Sequence, residues 1–561
     1  MAQRIYQSIY PDNHVPTNLS VAQFLLRYNP EDVTDDKVIL QDLDSQGKAL
    51  TYGDFRHGAA VGGAVLVDAF NLSAGDAVLV VAPNSVNWAL LAHSVMWFGG
   101  TIVGVNPVAT AQDLKHYIAI STPTLIVCDP SLRDRVEESL SPLNLSNLKP
   151  RIIELGGESA DSSMQFPPKQ IDTQDRNRKV LRPFDLSEKD NRKHAAAIVF
   201  SSGTTGLPKA VQLSHHNLIG HMLCTRTANP EMYNSASREV FYTSFAHIFG
   251  MISGIIVPPY VGSYIAMMRQ FNYDDFVHGV ARTKATMMRM VPSTAIAIAK
   301  DPALDKIDLS SADTILCAGA TLQTEVVERL QHLLKGVAIV QGYGMSEGSV
   351  AGLRASWSVK KRGSVGRLYP NVSIRIVDEN LNDVEPGSPG EALLRAPTVF
   401  MGYKNNEKGT SESFVDGWLR TGDILSMDND GFLWFIDRKK EMIKVKGYQV
   451  APAELEDILG SHPDILEAAV CAIFDKSQQS EFPIAYVRLQ ESILEKHRHR
   501  KLEEVRIWFD GKVSSFKKLR GGIHHIDEIP KNPNGKVVRS QLPARLKAEA
   551  ALAKTKLEAK L

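Results

Sequence analysis

Ala197-Ile198-Val199-Phe200-Ser201-Ser202-Gly203-Thr204-Thr205-Gly206-Leu207-Pro208-Lys209 changes character within one stretch: an apolar, β-favouring run passes straight into hydroxyls and glycines that end on a lysine. A short apolar run bounded by turn residues predicts a buried strand. Comparable runs recur at Ala77 to Val81, Leu125 to Cys128, Thr314 to Cys317 and Val337 to Val340, with longer helical patterns between them. Strands alternating with helices predict an α/β fold with parallel sheets. Ligands of such sheets bind at the carboxyl ends of the strands, so the loops that follow the strands are the informative part.

Ser201, Ser202, Thr204 and Thr205 around Gly203 and Gly206, closed by Lys209, offer hydroxyls, backbone N–H groups and a cation to a polyanion. A flexible turn has the same composition. The loop is not a P-loop, which requires Gly where Pro208 stands and Ser or Thr where Ala210 stands. The second strand opens into Gln341-Gly342-Tyr343-Gly344-Met345-Ser346-Glu347, where Glu347 takes the place of the third glycine of a dinucleotide fingerprint. A nucleotide would be held by another scheme. Asp423 follows Asp416-Gly417-Trp418-Leu419-Arg420-Thr421-Gly422, which reads as a carboxylate after a tight turn, suited to a ribose diol. Lys536 stands on the constrained loop Pro530-Lys531-Asn532-Pro533-Asn534-Gly535.

The chain has 561 residues, enough for three or four domains at roughly 150 residues each, and an ordinary globular make-up of 43% hydrophobic and 22% charged residues. The 63 Lys and Arg equal the 63 Asp and Glu, so no global field favours nucleic acid or an anionic membrane. Cys128, Cys224, Cys317 and Cys471 stand too far apart for a disulfide scaffold or a structural zinc site. The first thirty residues lack a signal pattern, and the best apolar stretch, Ile248 to Val257, is broken by Ser and Gly and ends at Pro258. An intracellular protein without a membrane span is expected.

From about Val365 the texture becomes turn-rich and β-like, as in Ser373 to Asp378 and Phe432 to Ile436. Asp437-Arg438-Lys439-Lys440-Glu441 interrupts it and marks an interdomain joint. A small α+β domain should follow, with a helix over Ala453 to Leu459 and a strand over Ala468 to Phe474. From Arg438 onward there are 24 basic against 17 acidic residues, an excess of seven positive charges balanced by seven negative ones in the rest. A basic small domain beside an acidic large one would suit a polyanionic ligand.

Ser201 to Lys209, Gln341 to Glu347, Trp418 to Asp423, Lys444 to Glu456 and Gly535-Lys536, in that order, resemble the acyl-adenylate-forming enzymes, and the wording of Gly447 to Glu456 is most similar to the 4-coumarate:CoA ligase and beetle luciferase branch. The resemblance implies a large N-terminal domain over residues 1–439, built of layered α/β subdomains and a small β region, and a small mobile C-terminal lid over 440–561. It implies an acid-thiol ligase that uses ATP, Mg²⁺ and CoA and forms an acyl-adenylate. Ser201, Ser202, Gly203, Thr204, Thr205, Gly206 and Lys209 would wrap the outer phosphates. Gly319, Ala320, Thr321, Gln341, Gly342, Tyr343 and Gly344 would hold the base, Asp423 and Arg438 the ribose. Ser346 would touch the α-phosphate, Glu347 would hold Mg²⁺, and Lys536 would bridge the substrate carboxylate and the α-phosphate. Lys440 would be the hinge, Lys444 a lysine of the second half-reaction, and Lys446, Gly447 and Tyr448 the entry for CoA. His247, on an apolar strand, would gate an acyl pocket walled by Phe249, Met251, Ser253, Gly342 and Gly344.

The chain departs from the family's pattern at Ser346, which keeps the usual hydroxyl of Thr, at Thr321 for Pro, at Ala396 for Gly, and before Glu481, where a glycine is missing. Alternatives to a CoA acceptor are a luciferase-like oxygenase, an acyl-AMP ligase or a stand-alone amino-acid-activating domain, and from another class a silent scaffold. The closing Ala559-Lys560-Leu561 is similar to the S-K-L address, which implies a peroxisomal import receptor as partner, the cytoplasm being the alternative location. The acid itself and the oligomeric state are not written in these motifs.

Overall fold

The computed structural model describes residues 3–44, 48–141, 150–156, 165–167, 177–201, 208–318, 322, 324–445, 448–475, 478, 480–532 and 535–544. The expected residues Ser202, Gly203, Thr204, Thr205, Gly206, Gly319, Ala320, Thr321, Lys446, Gly447, Ala559, Lys560 and Leu561 lie outside the described residues.

The apolar runs are strands, as expected. Ala77–Val81, Thr101–Val105 and Leu125–Cys128 are buried at every position and pair in parallel at the centre of an eight-stranded sheet. Continuous burial is what a sheet covered on both faces demands of its sequence. A nine-stranded sheet carries Arg238–Phe241, Met287–Met290, Thr314–Cys317 and Ala338–Met345, again parallel in the middle. Between the two sheets lies an apolar layer that includes Trp88, Phe241, Phe245, Met251 and Val340. A third, six-stranded sheet contains Ser373–Val377, Gly390–Arg395, Trp418–Met427 and Leu433–Arg438, all antiparallel, which is the β region expected after Val365. The small C-terminal domain has its own core around the antiparallel pair Ile465–Asp475 and Ser480–Leu489, with the helix Pro452–Gly460 against it.

Several local expectations are corrected. The strand Ala195–Ser201 returns as the antiparallel strand Lys209–Ser214, with Ser201 directly opposite Lys209, so the hydroxyl-rich segment is closed at its base as a hairpin. The strand Ala338–Met345 does not stop at Val340. It runs on through Met345 and pairs antiparallel with Gly348–Gly352, since the mixed sheet continues past the parallel core. Asp423 does follow a tight turn, at Asp416 and Gly417, whose φ of 49° and 74° suit the short polar and glycine residues there, and it lies within the strand Trp418–Met427, opposite Arg438. His247 is not on a strand: it caps the short helix Ile248–Gly250, which passes into a π-helix over Met251–Ile256. Asp437 and Arg438 still belong to a strand, so the joint begins at Lys439. Among the described residues no helix is long and apolar enough to cross a membrane.

Candidate active site

The carboxyl end of Ala338–Met345 is the organising element. Tyr343 points into the structure and donates its phenol proton to Asp423 Oδ2 at 2.6 Å. Arg438 Nε stands 3.9 Å from Asp423 Oδ1. Burial raises the Asp423 carboxyl above the usual range, and Arg438 with the Tyr343 hydrogen bond opposes that rise. The result is a carboxylate fixed in a polar frame beside a ring, which fits a nucleoside diol and base. Gln341 accepts a hydrogen bond from the Leu322 backbone N–H at 3.1 Å and so pins the neighbouring segment.

Glu347 follows the strand. Its Oε1 accepts from the Tyr403 phenol at 2.8 Å, and Lys209 Nζ lies 4.5 Å from the centre of the Tyr403 ring. Tyr403 therefore ties the lysine that ends the hydroxyl-rich segment to the acidic residue. Magnesium usually takes one or two carboxylates and completes its shell with phosphate oxygens and water, so a single fixed carboxylate such as Glu347 fits it. His116 adds a second support: its Nε2 is 2.8 Å from the Pro208 carbonyl, so that nitrogen carries the proton. Ser346 is 8% exposed, a hydroxyl at the rim of a buried centre.

Lys536 arrives from the lid. Its backbone pairs with Asn532 in a tight loop, and the adjoining Gly535 rests on the large domain, where an added Cβ would stand 3.6 Å from Ser293 Oγ and from Val291 Cγ2. Burial and the nearby Arg438 push the Lys536 ammonium down to about 8, against the pull of Asp423, Glu441 and Glu347. Burial and the field of Lys536 push His247 down to about 4, so its imidazole is neutral. His247 Nδ1 accepts from the Phe249 backbone N–H at 3.3 Å, leaving Nε2 as the protonated nitrogen.

On the strand Ala338–Met345, Gly342 is half-buried and Gly344 exposed although the strand is otherwise largely buried. A Cβ on Gly342 would meet only the Ala351 carbonyl, at 3.5 Å, so Gly342 leaves space, whereas one on Gly344 would press on Ser349 Cα at 3.3 Å and the Gly348 carbonyl at 3.4 Å. Phe249 is half-buried against the core layer, while Met251 and Ser253 are buried. Lys444 and Tyr448 are not brought to this centre. Both are exposed on the lid hairpin, where Tyr448 stacks on Phe516 at 4.4 Å.

The charged run Asp437 to Glu441 expected as a joint is held by partners that the sequence reading missed. Asp437 Oδ2 accepts from the Ala453 N–H at 3.0 Å, at the start of the lid's first helix. Arg539, three residues past Lys536, donates to both oxygens of Glu456 at 2.8 Å and pairs with Glu441. Lys439 Nζ lies 2.7 Å from Glu391 Oε2, next to Lys440. Tyr403 and Arg539 could have been found only as a tyrosine and an arginine near known motifs.

Tyr343, Asp423 and Arg438 thus form one buried polar group, Glu347 and Lys209 meet at Tyr403, and Lys536 lies within the field of Asp423, Arg438 and Glu347. Residues 29–404 match the AMP-binding enzyme family and residues 454–536 the AMP-binding enzyme C-terminal domain, and the chain belongs to this family. It is 33% identical over 487 residues to a probable 4-coumarate–CoA ligase 2 of Dictyostelium discoideum, covering 84% of this chain and 86% of that one. It is 32% identical to peroxisomal OPC-8:0-CoA ligase 1 of Arabidopsis thaliana, with 83% of each covered. The fold matches that of the anthranilate CoA ligase AuaEII in complex with anthranoyl-AMP, with a TM-score of 0.81 at 22% identity over 95% of this chain and 99% of the other.

Proposed function

We propose that the protein is an ATP-dependent ligase that joins a small-molecule carboxylic acid to the thiol of CoA through an acyl-adenylate. In the first step a carboxylate oxygen attacks the α-phosphorus and the bond to pyrophosphate breaks. In the second the thiol sulfur attacks the acyl carbon and AMP leaves. The obstacle is repulsion between two anions, and a fixed cation at the developing charge supplies on the order of 3 kcal/mol.

The observation that carries this reading is Lys536, held on the lid within the field of Asp423, Arg438, Glu347 and His247. In this role Lys536 spans the carboxylate and the α-phosphate, with Ser346 donating to the same phosphate. Tyr343, Asp423 and Arg438 hold the nucleoside, with Gln341 and the segment Gly319 to Thr321 at the base. Lys209 and the hydroxyls of the hairpin take the outer phosphates, and Glu347 holds Mg²⁺, which draws charge from those phosphates when bound. Neutral His247 lines the acyl entrance without adding charge. Lys444 and Tyr448, exposed here, serve CoA when the lid turns about Lys440 over the boundary between residues 1–439 and 440–561. The domain division itself is supported by the two separate family matches.

Purified protein incubated with ATP, Mg²⁺, CoA and a panel of carboxylic acids should yield AMP, pyrophosphate and an acyl-CoA by mass spectrometry. Acyl-AMP that accumulates with no thioester would replace the CoA acceptor in this reading. A peroxisomal location is supported by Ala559-Lys560-Leu561, if it is the terminal tripeptide in the cell, and by the Arabidopsis relative's name. A fluorescent fusion that preserves that tripeptide should collect in peroxisomes, and a diffuse signal would refute it.

A further inference from the structure

Arg289 is a cation with 1% exposure in the middle of the nine-stranded sheet. Its Nε donates to Glu239 Oε2 at 2.9 Å and its Nη2 to Oε1 at 3.4 Å, and Glu239 is 4% exposed on the adjacent strand. A buried ion pair is expensive to desolvate and an apolar pair often serves stability as well, so its presence asks for a role. Arg289 Nη1 is buried and makes no hydrogen bond within 3.5 Å among the described residues, the Tyr233 phenol being the further polar group that acts on the guanidinium.

The register says where this group lies. Arg289 is opposite Leu316, and Leu316 is opposite Val340, two residues before Gly342. Alternate residues share a face, so these side chains look into the layer that Gly342 opens onto. Leu316 and Val340 pack there with Phe241, Phe245 and Met251, whereas Met288, Met290 and Ile315 pack on the opposite face. The guanidinium carbon is 5.2 Å from the Phe249 ring centre, 5.8 Å from Tyr233 and 5.9 Å from Phe241. Tyr369 joins the group: its hydroxyl lies 2.6 Å from where a Cβ of Gly352 would stand, and Gly352 pairs with Gly342. Tyr369 is within the electrostatic reach of both Tyr233 and Arg289. The aromatic wall on the face of Gly342 thus ends in a guanidinium and two phenols.

We propose that this end of the acyl pocket recognises a neutral oxygen on the acid, a carbonyl or hydroxyl remote from the carboxylate, with Arg289 Nη1 as its donor. The inference rests on the acid-activating reading above and names the class of acid. Glu239 already balances the charge of Arg289, so a second carboxylate would bury a net negative charge, while a neutral acceptor supplies the missing partner. A hydrocarbon end leaves Nη1 unpaired. Because Arg289 has no open surface, contact with the acid requires the Phe249 or Tyr233 ring to turn aside.

The test uses the full-length enzyme and matched acids of equal length: unsubstituted, bearing one oxo or hydroxyl group at successive positions, and dicarboxylic. Pyrophosphate release is followed for each. At one position the neutral oxygen should raise kcat/KM roughly ten- to a hundredfold over the plain acid, and the dicarboxylate should be the poorest of the three. In the Arg289→Met/Glu239→Gln double variant, checked for an unfolding transition like that of the wild type, the ratio of substituted to plain acid should fall towards one. If that variant does not fold, the wild-type ratios and those of Tyr369→Phe decide. Turnover of plain acids with no gain from any oxygen, or a gain that survives in the double variant, would overturn the inference and leave the ligase reading standing. No pyrophosphate release with any acid would overturn both.

Discussion

The Tyr343 phenol and the Asp423 carboxylate meet at 2.6 Å with both residues buried, at 8% and 7% exposure. A hydrogen bond to a charged group contributes about 1.5–3 kcal/mol. Here it holds the carboxylate in place, which in the proposed site precedes nucleoside binding. Tyr343→Phe keeps the ring and loses the bond, so kcat/KM for ATP should fall about ten- to a hundredfold. Initial rates of pyrophosphate release against ATP concentration measure this.

Tyr403 should matter for the metal although it touches no phosphate in its assigned role. Its phenol orients Glu347 and its ring faces Lys209. Tyr403→Phe keeps the ring contact and frees the carboxylate. The Mg²⁺ concentration for half-maximal activity should then rise several-fold, consistent with the tenfold or more that supporting partners contribute at metal sites. A Mg²⁺ titration at saturating ATP would show no shift if Glu347 were not the ligand.

The pH dependence follows from Lys536. Its lowered value of about 8 leaves it charged below that pH and neutral above it. The dependence of kcat/KM on pH reports the free enzyme. For adenylation it should bend downward above pH 8 and fall about tenfold per further unit. Bound phosphate favours the charged amine, so kcat should bend at a higher pH. His247, at about 4, should put no bend between pH 5 and 7.

Arg539 is the clearest stability prediction. Burial raises the carboxyls of Glu456 and Asp437, and Arg539 opposes the rise at both. Arg539→Met strands them, and breaking such a cluster from one side costs about 3–5 kcal/mol. Hydrogen exchange over the helix Pro452–Gly460 should accelerate, and adding Glu456→Gln should restore part of the protection.

Strands and motifs were legible because they are local. Apolar runs at Ala77 and Leu125 report burial directly, and the hydroxyl-rich segment after Phe200 reports its own chemistry. What stayed hidden is held by distance along the chain. Tyr403 is 56 residues from Glu347, Arg539 is 83 from Glu456 and Arg289 is 50 from Glu239. No periodicity links such pairs; the sheet register does. The π-helix after His247 was hidden for a different reason, since an apolar run of that length is equally compatible with a strand.

The central claim is that Lys536 serves adenylation, and separating the two half-reactions tests it most directly. Rapid-quench assays of Lys536→Ala would follow pyrophosphate release from ATP and acid, and thioester formation from supplied acyl-AMP and CoA. Adenylation should fall at least a hundredfold, and by at least ten times more than thioester formation, in line with removing one charge-stabilising group from the first transition state. Equal losses in the two half-reactions would contradict the account.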